Sequence, residues 1–150
     1  MTGMVNETKA YIDFKIRTEP WNSYKLKDGT ILKTRVVMVT AKKSIPQTGT
    51  KNYGADFKSL RGYIIPPENF SEPSSVAYSE EDYKSPDNLI DINFTTISEK
   101  LSEYELDDGT LIKAKLDVKA IKKSKLHLQD GSPFYVLMTD IWHEMQHPPK

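Results

Sequence analysis

The chain has 150 residues, of which 37% are hydrophobic and 28% charged, a size and composition that suit one ordinary domain or two very small ones. Lys and Arg total 21, as do Asp and Glu, so we expect no global field that draws the protein to nucleic acid or to an anionic membrane. The absence of cysteine excludes disulfides, thiolate metal sites and cysteine nucleophiles. No apolar run approaches the length of a membrane span, and we expect a cytoplasmic protein without a membrane partner.

An internal repeat dominates the sequence. Residues 21–44 and 101–124 align at a constant offset of 80, with nine of 24 positions identical, where about one or two would match by chance. We therefore read the chain as a duplication, with copy one at 10–67, a linker at 68–89 and copy two at 90–149. The identical residues, in copy-one numbering, are Tyr24, Leu26, Asp28, Gly29, Thr30, Lys33, Lys42, Lys43 and Ser44.

Each copy opens on a predicted strand. Residues 10–17 (AYIDFKIR) and 90–97 (IDINFTTI) alternate apolar and polar side chains, with Ile12 and Phe14 on one face of the first. Strict alternation over about eight residues is typical of a half-buried strand. The polar residues 1–9 at the start of the chain are expected to be frayed.

A β-hairpin follows in each copy, around the repeated sequence Asp-Gly-Thr. A two-residue Asp-Gly turn would mix polar and apolar side chains on both faces of the hairpin. A three-residue loop, Lys27–Gly29, instead pairs Tyr24 with Leu32 and separates the faces. We therefore predict the longer loop, with Gly29 and its counterpart Gly109 at a positive φ. This register buries Leu32, Val36, Met38, Ile112, Leu116 and Val118, and it exposes Lys33, Arg35, Lys113, Lys115 and Lys119.

Each copy ends in a further predicted strand, at about 53–65 and about 133–147. Copy two has two extra residues before this strand, and the copies then align again as Gly49 with Gly131 and Tyr53 with Tyr135. In copy two the strand contains the run FYVLMTDIW, which is apolar on both faces at its start. Such a run is typical of a strand that is covered on both sides.

The linker is rich in proline, serine and acidic residues, so we predict a long loop rather than a strand or a helix. Its aromatic residues Phe70, Tyr78 and Tyr83 are expected to pin it to the surface. Because every other predicted element is a strand joined by short loops, the fold class is all-β. We expect two small β-sheet or barrel units of about four strands each, on the scale of an SH3 or OB domain, packed about a pseudo-two-fold axis.

One catalytic pattern is present, His143-Glu144-Met145-Gln146-His147, which fits H-E-x-x-H. On a helix, the two histidines of this pattern bind Zn²⁺ and the glutamate serves as general base. Here His147 precedes a proline, and the stretch continues a predicted strand, in which the two histidines would lie about 13 Å apart. His143, Glu144 and His147 are the metal-ligand candidates, with zinc as the cofactor, and the competing prediction is a strand.

Basic residues form the second candidate site. They lie on predicted outward faces or adjoining loops of both copies, where they would follow a phosphate backbone or contact a protein partner. The alternative is a solvated strand face that lysines protect from edge pairing, and in copy two Glu103 and Glu105 would partly neutralise it. The candidates are Lys33, Arg35, Lys42, Lys43, Lys113, Lys115, Lys122 and Lys123.

The duplicated surfaces, with no chemical motif echoed in both copies, favour a non-enzymatic protein-interaction or structural module. Its partner would be another protein or a second copy of the chain, because exposed strand edges invite pairing. Two alternatives stay open at this stage: a nucleic-acid-binding protein that uses the lysine-rich faces, and a zinc-dependent hydrolase that uses the C-terminal motif.

Overall fold

Ten β-strands and one short α-helix form the described part of the chain. The structure is a computed structural model that describes residues 7–46 and 52–148, so the predictions for residues 1–6 and for Gly49 lie outside the described residues. No helix within these ranges is long and apolar enough to cross a membrane. The elements are β1 (Glu7–Ile12), β2 (Phe14–Thr18), β3 (Asn22–Leu26), β4 (Ile31–Pro46), β5 (Asn52–Ile64), α1 (Glu80–Lys84), β6 (Leu89–Asp91), β7 (Phe94–Ser98), β8 (Ser102–Leu106), β9 (Leu111–His127) and β10 (Pro133–Gln146), with short 3₁₀ turns at Pro67–Asn69 and Pro86–Asn88.

Two antiparallel five-stranded sheets confirm the all-β prediction. In sheet A, the long strand β4 pairs with β5 along one side and with β3 and β1 along the other, and β7 pairs with β3. In sheet B, β9 takes the place of β4, β10 of β5, β8 of β3, β6 of β1 and β2 of β7. Each strand of sheet A thus has a counterpart in sheet B.

The first strand of each copy is broken and shared between the two sheets. β1 pairs with β4 of its own copy up to Ile12, pairing stops at Asp13, and β2 then pairs with β8 of copy two. β6 and β7 make the equivalent step, so that β7 pairs with β3 of copy one. The continuous strands predicted over 10–17 and 90–97 are wrong in this detail, because the break carries the chain from one sheet to the other. Residues 7–9, predicted to be frayed, belong to β1.

The predicted three-residue hairpin loop is confirmed in both copies. Tyr24 pairs with Leu32, and the Leu26 amide donates a hydrogen bond to the Thr30 carbonyl at 2.8 Å. Gly29 has a φ of +91°, and the equivalent glycine of copy two has a φ of +89°. The Asp-Gly-Thr sequence therefore forms the same turn twice, with glycine where a Cβ would be strained.

The predicted faces of the hairpin are confirmed, with two corrections. The aliphatic residues that are buried as predicted are Leu32, Val36, Met38, Ile112 and Leu116. Val118 is only half-buried. The outward residues that are half-buried rather than exposed are Lys33, Arg35, Lys113 and Lys115. Long basic side chains lay their aliphatic stems along neighbours of the flat outer sheet face, which explains this partial burial.

The hydrophobic cores lie between the sheets, and each is built from both copies. The first combines the copy-one hairpin with the far end of copy two, through Tyr24, Leu26, Leu32, Ile121 and Tyr135. The second combines the copy-two hairpin with strand β4 of copy one, through Met38, Ala41, Tyr104, Leu106 and Ile112. Because each core needs side chains from both copies, the two copies fold as one unit rather than as two independent domains.

The linker contains regular structure that its composition did not predict. α1 begins after Ser79, whose hydroxyl accepts from the Asp82 amide while the Asp82 carboxylate accepts from the Ser79 amide, a capping box that stabilises the first turn. Tyr83 is buried and stacks on Phe134 with ring centres 4.7 Å apart, so it pins the linker as expected. The other two aromatic residues of that prediction, Phe70 and Tyr78, are 42% and 40% exposed, and the Tyr78 ring contacts the Tyr83 ring edge-on. A helix of five residues is too short to show a helical period in the sequence.

The apolar run of β10 is covered on both faces at its start, as predicted, since Tyr135 is buried and Tyr83 stacks on Phe134, but it is not covered farther along the strand. In the described part of the chain, β10 is the edge strand of sheet B and pairs with β9 alone. Met138 and Trp142 on its outer face are 52% and 43% exposed. A strand that is apolar on both faces is buried only where another layer packs on each face. No described element covers the outer face of β10 at these two residues.

Candidate functional site

A compact polar cluster joins the hairpin loop of copy one to copy two. The Asp28 carboxylate accepts a hydrogen bond from the Tyr135 hydroxyl at 2.6 Å and pairs with the Lys123 ammonium at 2.8 Å. The Thr30 hydroxyl bonds the same Tyr135 hydroxyl at 2.8 Å, and the Thr30 amide donates to Asp28 at 2.9 Å. We call this set the first cluster. It ties the turn of sheet A to two strands of sheet B.

The hairpin loop of copy two builds an equivalent second cluster with copy one. The Tyr53 hydroxyl donates to Asp108 at 2.6 Å, and the Thr110 amide donates to the same carboxylate at 3.0 Å. The Lys43 ammonium lies 3.7 Å from Asp108, farther than the 2.8 Å of the matching pair in the first cluster. The Asp108 side chain is 28% exposed against 13% for Asp28, so the second cluster is the more hydrated of the two.

Both carboxylates are held in their charged form. Burial by itself favours the neutral acid at Asp28, but hydrogen bonds from Lys123 and Tyr135 outweigh it and lower the pKa of Asp28. At Asp108, burial is likewise outweighed by bonds from Tyr53 and the backbone, which lower the pKa to about 2. Burial and the neighbouring carboxylate raise the pKa of the Tyr135 hydroxyl, so it stays protonated at neutral pH.

The two clusters hold the copies together. Each acid is paired with a lysine and each tyrosine keeps its proton, so neither the acids nor the tyrosines are free to act as base or nucleophile. The residues involved are repeated in both copies, as Asp28 and Asp108, Thr30 and Thr110, Lys43 and Lys123, and Tyr53 and Tyr135. Part of the sequence identity between the copies is thus explained by contacts between the copies.

The H-E-x-x-H residues are spread over both faces of a strand. The His143 ring lies 5.4 Å from the Phe57 ring, and the His147 ring lies 4.8 Å from the Tyr53 ring, between the sheets. Glu144 belongs to the opposite, outer face of β10, where it pairs in register with a lysine of β9. β10 remains a strand, so the one-turn spacing that a helix would supply is missing. Among the described residues, no group of three or more His, Cys, Asp or Glu side chains is placed to hold a metal ion.

The eight predicted basic residues divide into three groups. Lys43 and Lys123 point inward to the two clusters. Those with an ion pair outside the clusters, at 3.0–3.8 Å, are Arg35, Lys42, Lys115 and Lys122. The carboxylate partner of Arg35, Glu19, is only 7% exposed. Lys33 and Lys113 form no ion pair with any residue that the structure describes. The structure therefore brings part of the predicted set to the sheet interior and leaves the rest on two separate outer faces.

The surroundings of Lys33 and Lys113 differ in charge. Lys33 pairs across its hairpin with Ser23, whereas Lys113 pairs with Glu103. The next outward positions change sign as well, from Lys25 and Lys27 in copy one to Glu105 and Asp107 in copy two. The same hairpin is therefore basic in copy one and acidic in copy two.

Over their full lengths the two copies also differ in net charge, with copy one basic and copy two acidic. Residues 10–67 contain 11 basic and 4 acidic side chains, whereas residues 90–149 contain 7 and 10. The linker 68–89 adds 1 basic and 6 acidic side chains. Reasoning from the sequence missed this asymmetry because it used the charge of the whole chain, in which the parts cancel. A separate count for each copy would have revealed it.

The outer face of sheet A combines cations with exposed apolar side chains. Ile64 is 56% exposed and lies beside Ile31, whose other neighbour is Lys25. Trp21 is 45% exposed, and the Arg35 guanidinium lies 5.7 Å from its ring centre. Together with Lys33, these outward residues form the surface that we call face A, namely Trp21, Lys25, Lys33, Arg35 and Ile64.

Comparison with known proteins leaves the family of this chain open. No family model, no curated protein and no solved structure matches the chain. Its function is therefore argued from the geometry described above.

Proposed function

We propose that the protein is a non-enzymatic binding module that takes an acidic protein partner on face A. The observation that carries the proposal is the change of charge sign between matched outer positions of the two copies, from Lys25 and Lys27 to Glu105 and Asp107. Lys113 of copy two has a carboxylate opposite it in the hairpin, whereas Lys33 of copy one has a serine. The cross-strand neighbours of Lys33 are thus a serine and Gly62, whereas Lys113 lies between Glu103 and Glu144. Other cations of copy one, such as Arg35, are paired with carboxylates, so the charge that face A offers a partner is mainly that of Lys25 and Lys33.

The apolar members of face A favour a protein as the partner. Trp21 and Ile64 are about half exposed and flank the cations. Protein interfaces join a few anchoring side chains, often Trp and Arg, to a charged rim that sets the association rate and excludes wrong partners. In copy two the positions matching Trp21 and Ile64 hold Leu101 and Gln146, and the exposed tryptophan of that copy, Trp142, lies instead on β10 at the position matching Leu60.

Binding rather than catalysis is supported by the two clusters, in which the acids and hydroxyls are tied to one another across the copies. The zinc-hydrolase alternative gains no support from the C-terminal segment, in which the His143 ring, on β10, and the His147 ring, just after it, contact aromatic rings of sheet A. A cytoplasmic location, expected from the sequence, stays part of this proposal.

Nucleic acid is the second candidate, because the excess of basic residues in copy one would attract phosphates. Single-strand binding normally adds several aromatic rings on which bases stack, and face A contains one, Trp21. We therefore rank nucleic acid below an acidic protein.

The test compares Lys33→Glu with Lys113→Glu, the same substitution at matched positions of the two copies. The probes are a fluorescent peptide of alternating glutamate and leucine and, in parallel, single- and double-stranded oligonucleotides, measured by anisotropy at low salt. We expect the wild-type chain to bind the peptide, Lys33→Glu to weaken this binding about tenfold, and Lys113→Glu to preserve it.

Two outcomes would contradict the proposal. Equal losses in both variants would show that face A has no special part in binding. Tighter binding of oligonucleotides than of the peptide, falling steeply as salt rises, would favour the nucleic-acid candidate instead.

A further inference from the structure

Two long strand edges lie on the same side of the molecule. In the described part of the chain, β5 pairs with β4 alone and β10 with β9 alone, so the other edges of these 13- and 14-residue strands carry backbone groups outside any ladder. Ring contacts join the two strands across the space between the sheets. Phe57 lies 5.4 Å from His143, and Tyr63 lies 5.0 Å from Tyr135.

These contacts also show that β5 and β10 run in opposite directions, because the residue numbers rise along one as they fall along the other. A two-fold axis parallel to the strands would therefore place β5 of one molecule beside β10 of a second, in antiparallel orientation. The same rotation places β10 of the first beside β5 of the second. One two-fold rotation thus pairs both edges, and each sheet continues into a sheet of the second molecule.

The charges of the two edges are complementary. β5 carries Lys58 and Arg61 against one acid, Asp56, whereas β10 carries Asp140 and Glu144 and no lysine or arginine. Pairing two β10 edges would bring carboxylates together, and pairing two β5 edges would bring cations together. Only the mixed pairing places opposite charges side by side.

The exposed apolar residues of the two edges match in the same arrangement. Continued between molecules, the register of the Tyr63–Tyr135 contact places Lys58 opposite Asp140 and Leu60 opposite Met138. The Phe57–His143 contact gives a register shifted by two residues, in which Asp140 is the diagonal neighbour of Lys58, so the two charges lie within reach of each other in both registers. Leu60 is 44% exposed and Met138 is 52% exposed, and the pairing would cover both.

We propose that a second copy of this chain is the partner of these edges, and that β5 of each molecule pairs with β10 of the other to form a symmetric dimer. The dimer uses the strand edges and leaves most of face A open, so it does not depend on the function proposed above. Each sheet has one long open edge, and this dimer pairs both of them.

The test is sedimentation of the full chain over a wide micromolar range. We expect a monomer–dimer equilibrium, weakened about tenfold or more by Lys58→Asp and by Asp140→Lys, because each puts like charges in contact at two symmetric places. The double variant Lys58→Asp/Asp140→Lys restores the opposite charges and should restore the dimer. Ile90→Lys, on the exposed edge strand β6 at the other side of sheet B, is the matched control and should leave the dimer unchanged.

A wild-type chain that remains monomeric throughout this range would overturn the proposal. So would a dimer that persists in both single variants, a double variant that fails to recover, or a dimer that Ile90→Lys disrupts. Circular dichroism spectra of all variants separate loss of the dimer from loss of fold. Lys33→Glu should weaken peptide binding while preserving the dimer, so the two proposals fail separately.

Discussion

Copy one and copy two share a backbone plan and differ in the surface they present. The turns, the inward tyrosines and the two clusters occur in both, at the offset seen in the sequence. On the outer face, the hairpin of copy one has Ser23 and Lys25 where copy two has Glu103 and Glu105. Inward positions of a duplicated unit are constrained by the contacts between the copies, whereas outward positions are free to acquire separate roles.

The difference in charge also explains how the first strands are exchanged. β2 carries Lys15 and Arg17 and pairs with the acidic strand β8, where Lys15 lies opposite Glu105 and Arg17 forms an ion pair with Glu105 at 3.4 Å. If β2 folded back on β3 of its own copy in the same register, Lys15 would lie opposite Lys25. β7, which has no charged residue, pairs with basic β3. The charge pattern therefore favours the exchange over a local hairpin.

The largest effect is expected where the copies meet in the middle of the core. Leu116→Ala removes a side chain that is 1% exposed and packs against Val36 and Ala114, so it should lower the free energy of unfolding by about 2–5 kcal/mol through lost burial and a residual cavity. Val36→Ala, at the matched position, should cost less because it removes fewer methyl groups. Urea denaturation measures both. Lys115→Ala, expected within about 0.5 kcal/mol of wild type, is the surface control, and a cost as large as that of Leu116→Ala would disprove the register.

The next largest effect is a difference between the two clusters in their contribution to the free energy of unfolding. Tyr135→Phe removes the hydroxyl that bonds both Asp28 and Thr30, and the site is 8% exposed, so we expect a loss of about 1–3 kcal/mol in the free energy of unfolding. Tyr53→Phe acts on the more hydrated second cluster, where water can replace the lost bond, and should cost about 0.5–1 kcal/mol. Equal losses in the two variants would mean that hydration does not distinguish the clusters.

A smaller effect is expected on acidification. The pKa of Asp108 is lowered from 3.8 to about 2 in the folded chain, so the folded state binds fewer protons than the unfolded state between these values. The stability that Asp108 contributes is therefore fully present above about pH 4 and is lost as the pH falls toward 2. Asp108→Asn should reduce the slope of unfolding free energy against pH in this window. An unchanged slope would contradict the assignment.

The smallest effect tests the charge pattern of the exchanged strands. Lys15→Glu and Glu105→Lys should each destabilise the fold slightly. The double variant should recover the part that is due to the Lys15–Glu105 pair, while the loss of the Arg17–Glu105 ion pair remains. A double-mutant cycle should give a coupling of up to about 1 kcal/mol, as expected for a partly exposed cross-strand pair. Thr95→Glu, opposite Lys25 in the other exchanged strand, should be neutral or slightly stabilising. A coupling of zero would remove charge from the explanation of the exchange.

The sequence by itself determined the strands and the faces of the hairpins. Alternation of apolar and polar residues specifies which side of a strand is buried. Because the hairpin occurs in both copies, the buried face assigned in one copy could be checked against the other. The apolar face of copy two was decisive, because only the three-residue loop kept Ile112 and Leu116 on one side with the lysines on the other. The positive φ at the end of the loop was predictable from the glycine there.

Only the tertiary structure decided which strands are neighbours. Periodicity reports the burial of a face but carries no information on the partner of an edge, so the exchange of β2 and β7 and the open edge of β10 could not be read from the pattern. The clusters depend on pairs far apart in the chain, such as Asp28 and Tyr135, which are 107 residues apart. Such contacts form only when both copies fold around a shared core, and for that reason the candidate surfaces became visible only in three dimensions.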